Sequence, residues 1–191
     1  VRWDELFADL EGQLEQELDA ERLDLAAEEE RLRLGRLTIR DRLMAMSRGG
    51  AVVRVALIDG ATVRLRIDTA GRDWIAGSPE AGAGSVLVPL AAVAAVLPEG
   101  DQLARGLSIR SPEPGAELAG RLGLGFVLRD LCRRRAGVDV VTGDGIHHGT
   151  IDRVGRDHLD LAEHEEGSAP RGGAVRRVRI IPFGRITCVR L

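Results

Sequence analysis

The chain states one structural unit twice. Arg36-Leu37-Thr38-Ile39-Arg40-Asp41-Arg42-Leu43 realigns with Arg121-Leu122-Gly123-Leu124-Gly125-Phe126-Val127-Leu128, and the same shift lays Asp59-Gly60 on Asp144-Gly145. After a one-residue deletion, residues 67–75 fall on 151–159. A different loop length then brings 88–96 onto 181–189. Self-similarity of this kind constrains architecture before any motif does, because each copy must adopt the same supersecondary unit. The expected organisation is therefore a helix over 1–35, a first repeat over 36–97, a linker over 98–120 and a second repeat over 121–191.

Residues 3–34 read as one helix. Trp3, Phe7, Leu10, Leu14 and Leu18 recur at steps of three and four, and Leu25 and Leu32 continue the stripe. Glu and Leu have high helix propensity, and Gly12 alone interrupts them. Such a helix would be about 45 Å long at ~1.5 Å per residue. Its stripe needs cover, either against the repeats or against a second copy as a coiled coil. The drift out of strict heptads favours packing in cis. Residues 1–30 carry twelve acidic side chains against Arg2 and Arg22, a composition that a basic protein partner would complement.

Each repeat opens with a short helix, built on Leu37, Ile39, Leu43 and Met46 in the first and on Leu122, Leu124, Leu128 and Leu131 in the second. Gly49-Gly50 is a helix stop. Five strands follow each helix. They are expected at 51–58, 62–67, 73–76, 86–89 and 93–97, then at 138–141, 147–153, 158–162, 175–182 and 186–190. Asp59-Gly60 and Asp144-Gly145 are tight-hairpin signals, and Gly71-Arg72-Asp73 and Gly155-Arg156-Asp157 mark the next turn. The loops 77–85 and 163–174 are rich in Gly, Ala, Pro and Ser and are expected to be mobile. The fold class is α+β and mainly β: tandem five-stranded small barrels, each preceded by a short helix, behind a long N-terminal helix.

A helix, five short strands, a DG hairpin and a turn ending in Asp ahead of strand three together resemble the Sm-like (LSm) family, whose small open barrels usually assemble into rings that bind single-stranded RNA. Other SH3-type barrels share much of this pattern. The resemblance covers residues 36–97 and 121–191. Gly149-Thr150-Ile151 followed by Asp157-His158-Leu159-Asp160 is similar to the family's first motif, and Asp73-Trp74-Ile75-Ala76 stands at the matching place in repeat one. The resemblance implies that Trp74 and His158 stack on bases and that Asp160 occupies the base-reading position. The alternative is that both rings cover a barrel end. The family's second motif is altered: Pro89-Leu90 and Pro182-Phe183 open the turn where Arg-Gly is expected, and repeat two has Gly184-Arg185, the pair reversed.

The remaining chemistry is sparse. All 27 basic residues are Arg, yet the net charge is −3, so the total does not point to nucleic acid. The second half does concentrate positive charge, in Arg133, Arg134, Arg135, Arg176, Arg177 and Arg179, which would supply phosphate contacts. Cys132 and Cys188 lack CxxC spacing and read as packed thiols in a reducing, cytoplasmic setting. No apolar run approaches the ~20 residues that span a bilayer, so no membrane association is expected. His147 and His148 are neighbours in a strand and point to opposite faces, which does not suit a shared metal. No GxGxxG, P-loop, HExxH or Ser-His-Asp pattern is present. The expectation is a non-enzymatic protein without cofactor. It would bind single-stranded RNA or a ribonucleoprotein, or else act as a protein–protein adaptor through its acidic helix and barrel edges. Homo-oligomers are compatible with both.

Overall fold

A computed structural model describes residues 3–108, 116–165 and 175–191, with side chains from 12 onward and, after the central gap, from 118 onward. The chain divides into two units, Val1–Thr38 and Ile39–Leu191. The first contains α1 (Trp3–Gly35), a continuous helix of 33 residues, as the periodicity predicts. Along it Leu14, Leu18, Leu25 and Leu32 are all exposed. Short-range pairs such as Arg22–Asp19 and Arg33–Glu30 line the helix. Trp3, Phe7 and Leu10 lie outside the described side chains.

The second unit holds the duplication. Repeat one runs α2 (Ile39–Met46), β1 (Val52–Leu57), β2 (Thr62–Ala70), β3 (Trp74–Pro79), β4 (Val86–Pro89) and β5 (Val93–Leu97). Next come α3 (Gln102–Leu107) and α4 (Ala116–Ala119). Repeat two is α5 (Leu124–Arg133), β6 (Gly137–Thr142), β7 (Gly145–Val154), β8 (His158–Glu163), β9 (Arg177–Pro182) and β10 (Ile186–Arg190). The burial alternation of β1, with Val53, Val55 and Leu57 inside, is repeated in β6 by Val138, Val140 and Thr142. That period of two is what a half-buried strand requires. Gly60 in the first hairpin has φ +86, a left-handed conformation that glycine adopts without a Cβ penalty.

All ten strands form one antiparallel sheet in the order β5-β1-β2-β3-β4-β10-β6-β7-β8-β9. The sheet is open, with β5 and β9 as its two edges. Two separate barrels were expected; here the two halves share one sheet. The physical reason lies in β4, all four of whose residues are buried. It pairs with β10 through Leu87↔Val189 and Val86↔Arg190, and Ser85 and Leu191 extend the ladder with reciprocal backbone bonds of 3.2 and 2.9 Å. The core crosses the same seam. Trp74 and Leu87 of repeat one belong to the apolar cluster of repeat two, while Cys188 of repeat two belongs to the cluster of repeat one.

Two segments differ from expectation. The stretch 98–120, read as a linker because of its prolines, contains α3 packed against α2. Gln102 is 5% exposed; its Nε2 donates to the Val52 carbonyl at 2.7 Å and its Oε1 accepts from the Glu99 amide at 2.9 Å. Residues 109–115 lie outside the described residues, as do 166–174 of the loop expected to be mobile. The loop 77–85 is shorter than predicted because β3 continues to Pro79.

Candidate functional site

The equivalent turns ahead of β3 and β8 carry the planar residues singled out from sequence. In repeat one the turn Gly71-Arg72-Asp73-Trp74 is closed by a bond from the Gly71 amide to the Trp74 carbonyl at 2.9 Å. Arg40 of α2 secures it from its own repeat, donating to the carbonyls of Gly71 at 2.7 Å and Ala70 at 3.0 Å. A Cβ at Gly71 would overlap the Trp74 indole and the Leu122 carbonyl, so the close approach requires glycine.

This turn receives the start of α5. The Arg72 amide and the Trp74 indole N–H both donate to the Leu122 carbonyl, at 2.9 and 3.0 Å. Asp73 Oδ1 accepts from the Leu124 amide at 2.7 Å. The residue at the N-cap of α5 is Gly123, which offers no side-chain acceptor, so the cap comes from 51 residues earlier in the chain. A side-chain oxygen there satisfies one of the orphan amides of the helix start. Asp73→Ala is expected to cost about 1 kcal/mol, the usual value of a lost cap. A fall in the chemical denaturation midpoint at unchanged slope would register it.

Trp74 is only 5% exposed. Its ring is occupied by the junction and offers no open face to a base. His158, its register equivalent opposite Pro182, is different: 44% of its side chain is exposed and its Nδ1 lies 2.8 Å from Asp157 Oδ1. The imidazole beside Asp157 holds that carboxyl below the ordinary range. Asp160 sits mid-strand in β8, half-buried, opposite Arg153 and Ile180.

Each of the six arginines named from sequence has a carboxylate beside it. Arg133 and Arg134 pair with Asp130, and Arg135 lies 3.8 Å from Asp152. Arg176 pairs with Glu165, and Arg177 and Arg179 with Glu163. Only the last pairing is substantially enclosed. Glu163 has 12% of its side chain exposed; Arg179 Nε donates to Oε1 at 2.6 Å while its Nη1 lies 3.2 Å from Asp144 Oδ2. Burial raises the Glu163 pKa, but the Arg179 and Arg177 hydrogen bonds outweigh it and the carboxyl titrates below its ordinary range. His147, 8% exposed, completes this cluster, sharing a 3.0 Å hydrogen bond with Thr142 and placing Nδ1 3.6 Å from Glu163.

Sequence reasoning missed Glu163 because it stands at the start of a loop of small residues. The repeated Gly-Arg-Asp signalled Asp73, but as a turn former and not as a cap. His147 and His148 take separate partners, Thr142 and Asp139, and His164 is buried against Thr150. Among the described residues no group of three or more His, Cys, Asp or Glu could hold a metal ion. Cys188 is buried, and burial pushes its thiol up despite nearby Arg190; Cys132 donates to the Asp152 carbonyl at 3.4 Å. No helix among the described residues is long and apolar enough to cross a membrane. No protein-family model, curated protein or solved structure matches the chain.

Proposed function

We propose that this chain is a non-enzymatic protein–protein adaptor, with α1 engaging a basic, amphipathic partner segment and the repeats serving as its scaffold. The observation that carries this reading is α1 itself. It runs for 33 residues and leaves Leu14, Leu18, Leu25 and Leu32 exposed among the densest acidic residues of the chain. An apolar stripe laid into a complementary surface is the usual way such a helix recognises a partner, and acidic flanks favour a basic one through charge complementarity. Within this reading the halves are Sm-like or SH3-type units. The supporting feature is that each half repeats one strand order, β5-β1-β2-β3-β4 and β10-β6-β7-β8-β9. The test is a pull-down from native extract with the full chain and with residues 1–34 deleted. Partners are expected to be lost on deletion and to weaken with salt. Unchanged partners would reject the reading.

Binding of single-stranded RNA is the second reading, favoured by one observation. The half-exposed His158 ring lies next to the turn Phe183–Arg185, whose first amide donates to the Asp157 carbonyl at 2.8 Å. Base stacking on such a ring is worth ~1–3 kcal/mol. Fluorescence anisotropy of labelled RNA across a salt series, with the His158→Ala variant alongside, separates the readings. Salt-sensitive binding lost in the variant supports RNA, and its absence leaves the adaptor. Trp74 stays intact in this test because removing it would disturb the fold.

A further inference from the structure

Repeat one receives a segment of chain at a turn whose equivalent in repeat two faces solvent. In repeat one the Leu122 carbonyl accepts from the Arg72 amide and the Trp74 indole, and the Leu124 amide donates to Asp73. Between those two leucines Gly123 passes close to Arg72: a Cβ there would lie 2.7 Å from the guanidinium Nη2. The segment received is therefore Leu-Gly-Leu at the opening of a helix, with glycine letting the guanidinium lie across it.

Repeat two carries the same receiving parts. The Gly155 amide closes its turn on the His158 carbonyl at 2.9 Å, as Gly71 does on Trp74. The Phe183 amide donates to the Asp157 carbonyl at 2.8 Å, as Leu90 does to Asp73 at 2.9 Å. Arg129 of α5 donates to the Gly155 carbonyl at 3.3 Å, the place Arg40 fills for Gly71. Here, however, the Asp157 side chain is 85% exposed and that of His158 44%. Among the described residues the Arg156 amide has no partner. The surroundings are basic and partly apolar. Arg129, Arg156 and Arg185 are exposed, and none has a carboxylate beside it among the described residues. Phe126, three residues before Arg129 and so on the same side of α5, is 56% exposed.

We propose that the turn 155–158 is a docking site for a partner protein's Leu-Gly-Leu segment, at the start of a helix and flanked by acidic side chains. The Arg156 amide donates to the carbonyl of the first leucine, as the Arg72 amide does to Leu122. Asp157 caps the partner's helix by accepting from the amide of the second leucine, as Asp73 does from Leu124. The His158 ring lies against the segment where Trp74 lies in repeat one. Three arginines without a counter-charge select the acidic flanks, since complementary charge sets specificity. The chain's own first repeat is a poorer match: Leu37-Thr38-Ile39 puts branched Thr38 at the glycine position, between Arg36 and Arg40. The site is separate from α1 and gives the adaptor a second partner surface.

The probe is a fluorescein-labelled peptide with the sequence of residues 119–131, carrying Arg121→Glu and Arg129→Glu to supply acidic flanks. Fluorescence anisotropy with the full chain is expected to saturate. Asp157→Ala in the protein is expected to weaken binding about five-fold, the effect of one lost helix cap, and His158→Ala to weaken it as well. Gly123→Val in the peptide, or restoring its two arginines, is also expected to weaken binding. Both protein substitutions are at exposed side chains, and circular dichroism checks that the variants fold. Failure of the peptide to saturate, or affinity unchanged by Asp157→Ala and His158→Ala, would overturn the proposal. So would a turn that takes labelled single-stranded RNA and not the peptide, or a peptide of residues 34–46 that binds more tightly than the probe.

Discussion

Trp74→Ala is expected to destabilise the second unit by about 3–5 kcal/mol, the range for removing a buried tryptophan. The ring is 5% exposed and packs in the cluster formed mostly by repeat two, while its indole N–H holds the carbonyl that precedes α5. The substitution therefore opens a cavity and leaves the Leu122 carbonyl with the Arg72 amide as its remaining partner. Urea denaturation monitored by circular dichroism would measure the loss. His158→Ala, the equivalent change in repeat two, is expected to cost less than about 1 kcal/mol in the monomer, since surface substitutions rarely exceed ±0.5. Equal losses at the two positions would contradict the asymmetry of the junction.

Glu163→Gln is expected to cost about 1–3 kcal/mol at neutral pH, the value of hydrogen bonds between charged partners in an enclosed setting. The substitution removes the charge that Arg177 and Arg179 share and leaves Asp144 as the carboxylate beside Arg179. Its pH dependence has a definite sign. The Glu163 carboxyl titrates below its ordinary range in the folded chain, so its contribution is fully present above the unfolded glutamate pKa. It is lost as pH falls through the lower, folded value. The stability gap between the parent chain and Glu163→Gln should therefore be constant near neutrality and close only in acid. Parallel thermal melts over a descending pH series would show it, and a gap that widened toward acid would refute the assignment.

Much of the fold was legible in the residues because much of it is local. The bounds expected for β4, β5 and β10 coincide with those observed, and α1 spans the stripe that predicts it. The Asp-Gly pairs close the hairpins β1–β2 and β6–β7. Prolines on both sides hid α3, whose stability rests on Gln102 reaching the Val52 carbonyl, a contact across 50 residues that no local pattern announces.

The candidate site was legible as a pair of matched positions but not as a pair of roles. Sequence places an aromatic or imidazole ring at the start of β3 and of β8, and register confirms the equivalence, with Trp74 opposite Pro89 and His158 opposite Pro182. It does not tell which ring meets solvent and which meets the other repeat. The six arginines were equally visible as charges, while Asp130, Asp152, Glu163 and Glu165 beside them became partners only through folding.

The sequence by itself determined the duplicated unit and the order of helix and strands, because periodicity and turn chemistry act between near neighbours. Only the tertiary structure decided that β4 meets β10, that Asp73 caps a helix of the other repeat, and that β5 and β9 are the edges left over. Those outcomes depend on backbone groups that every residue carries alike, and on contacts between segments far apart in the chain.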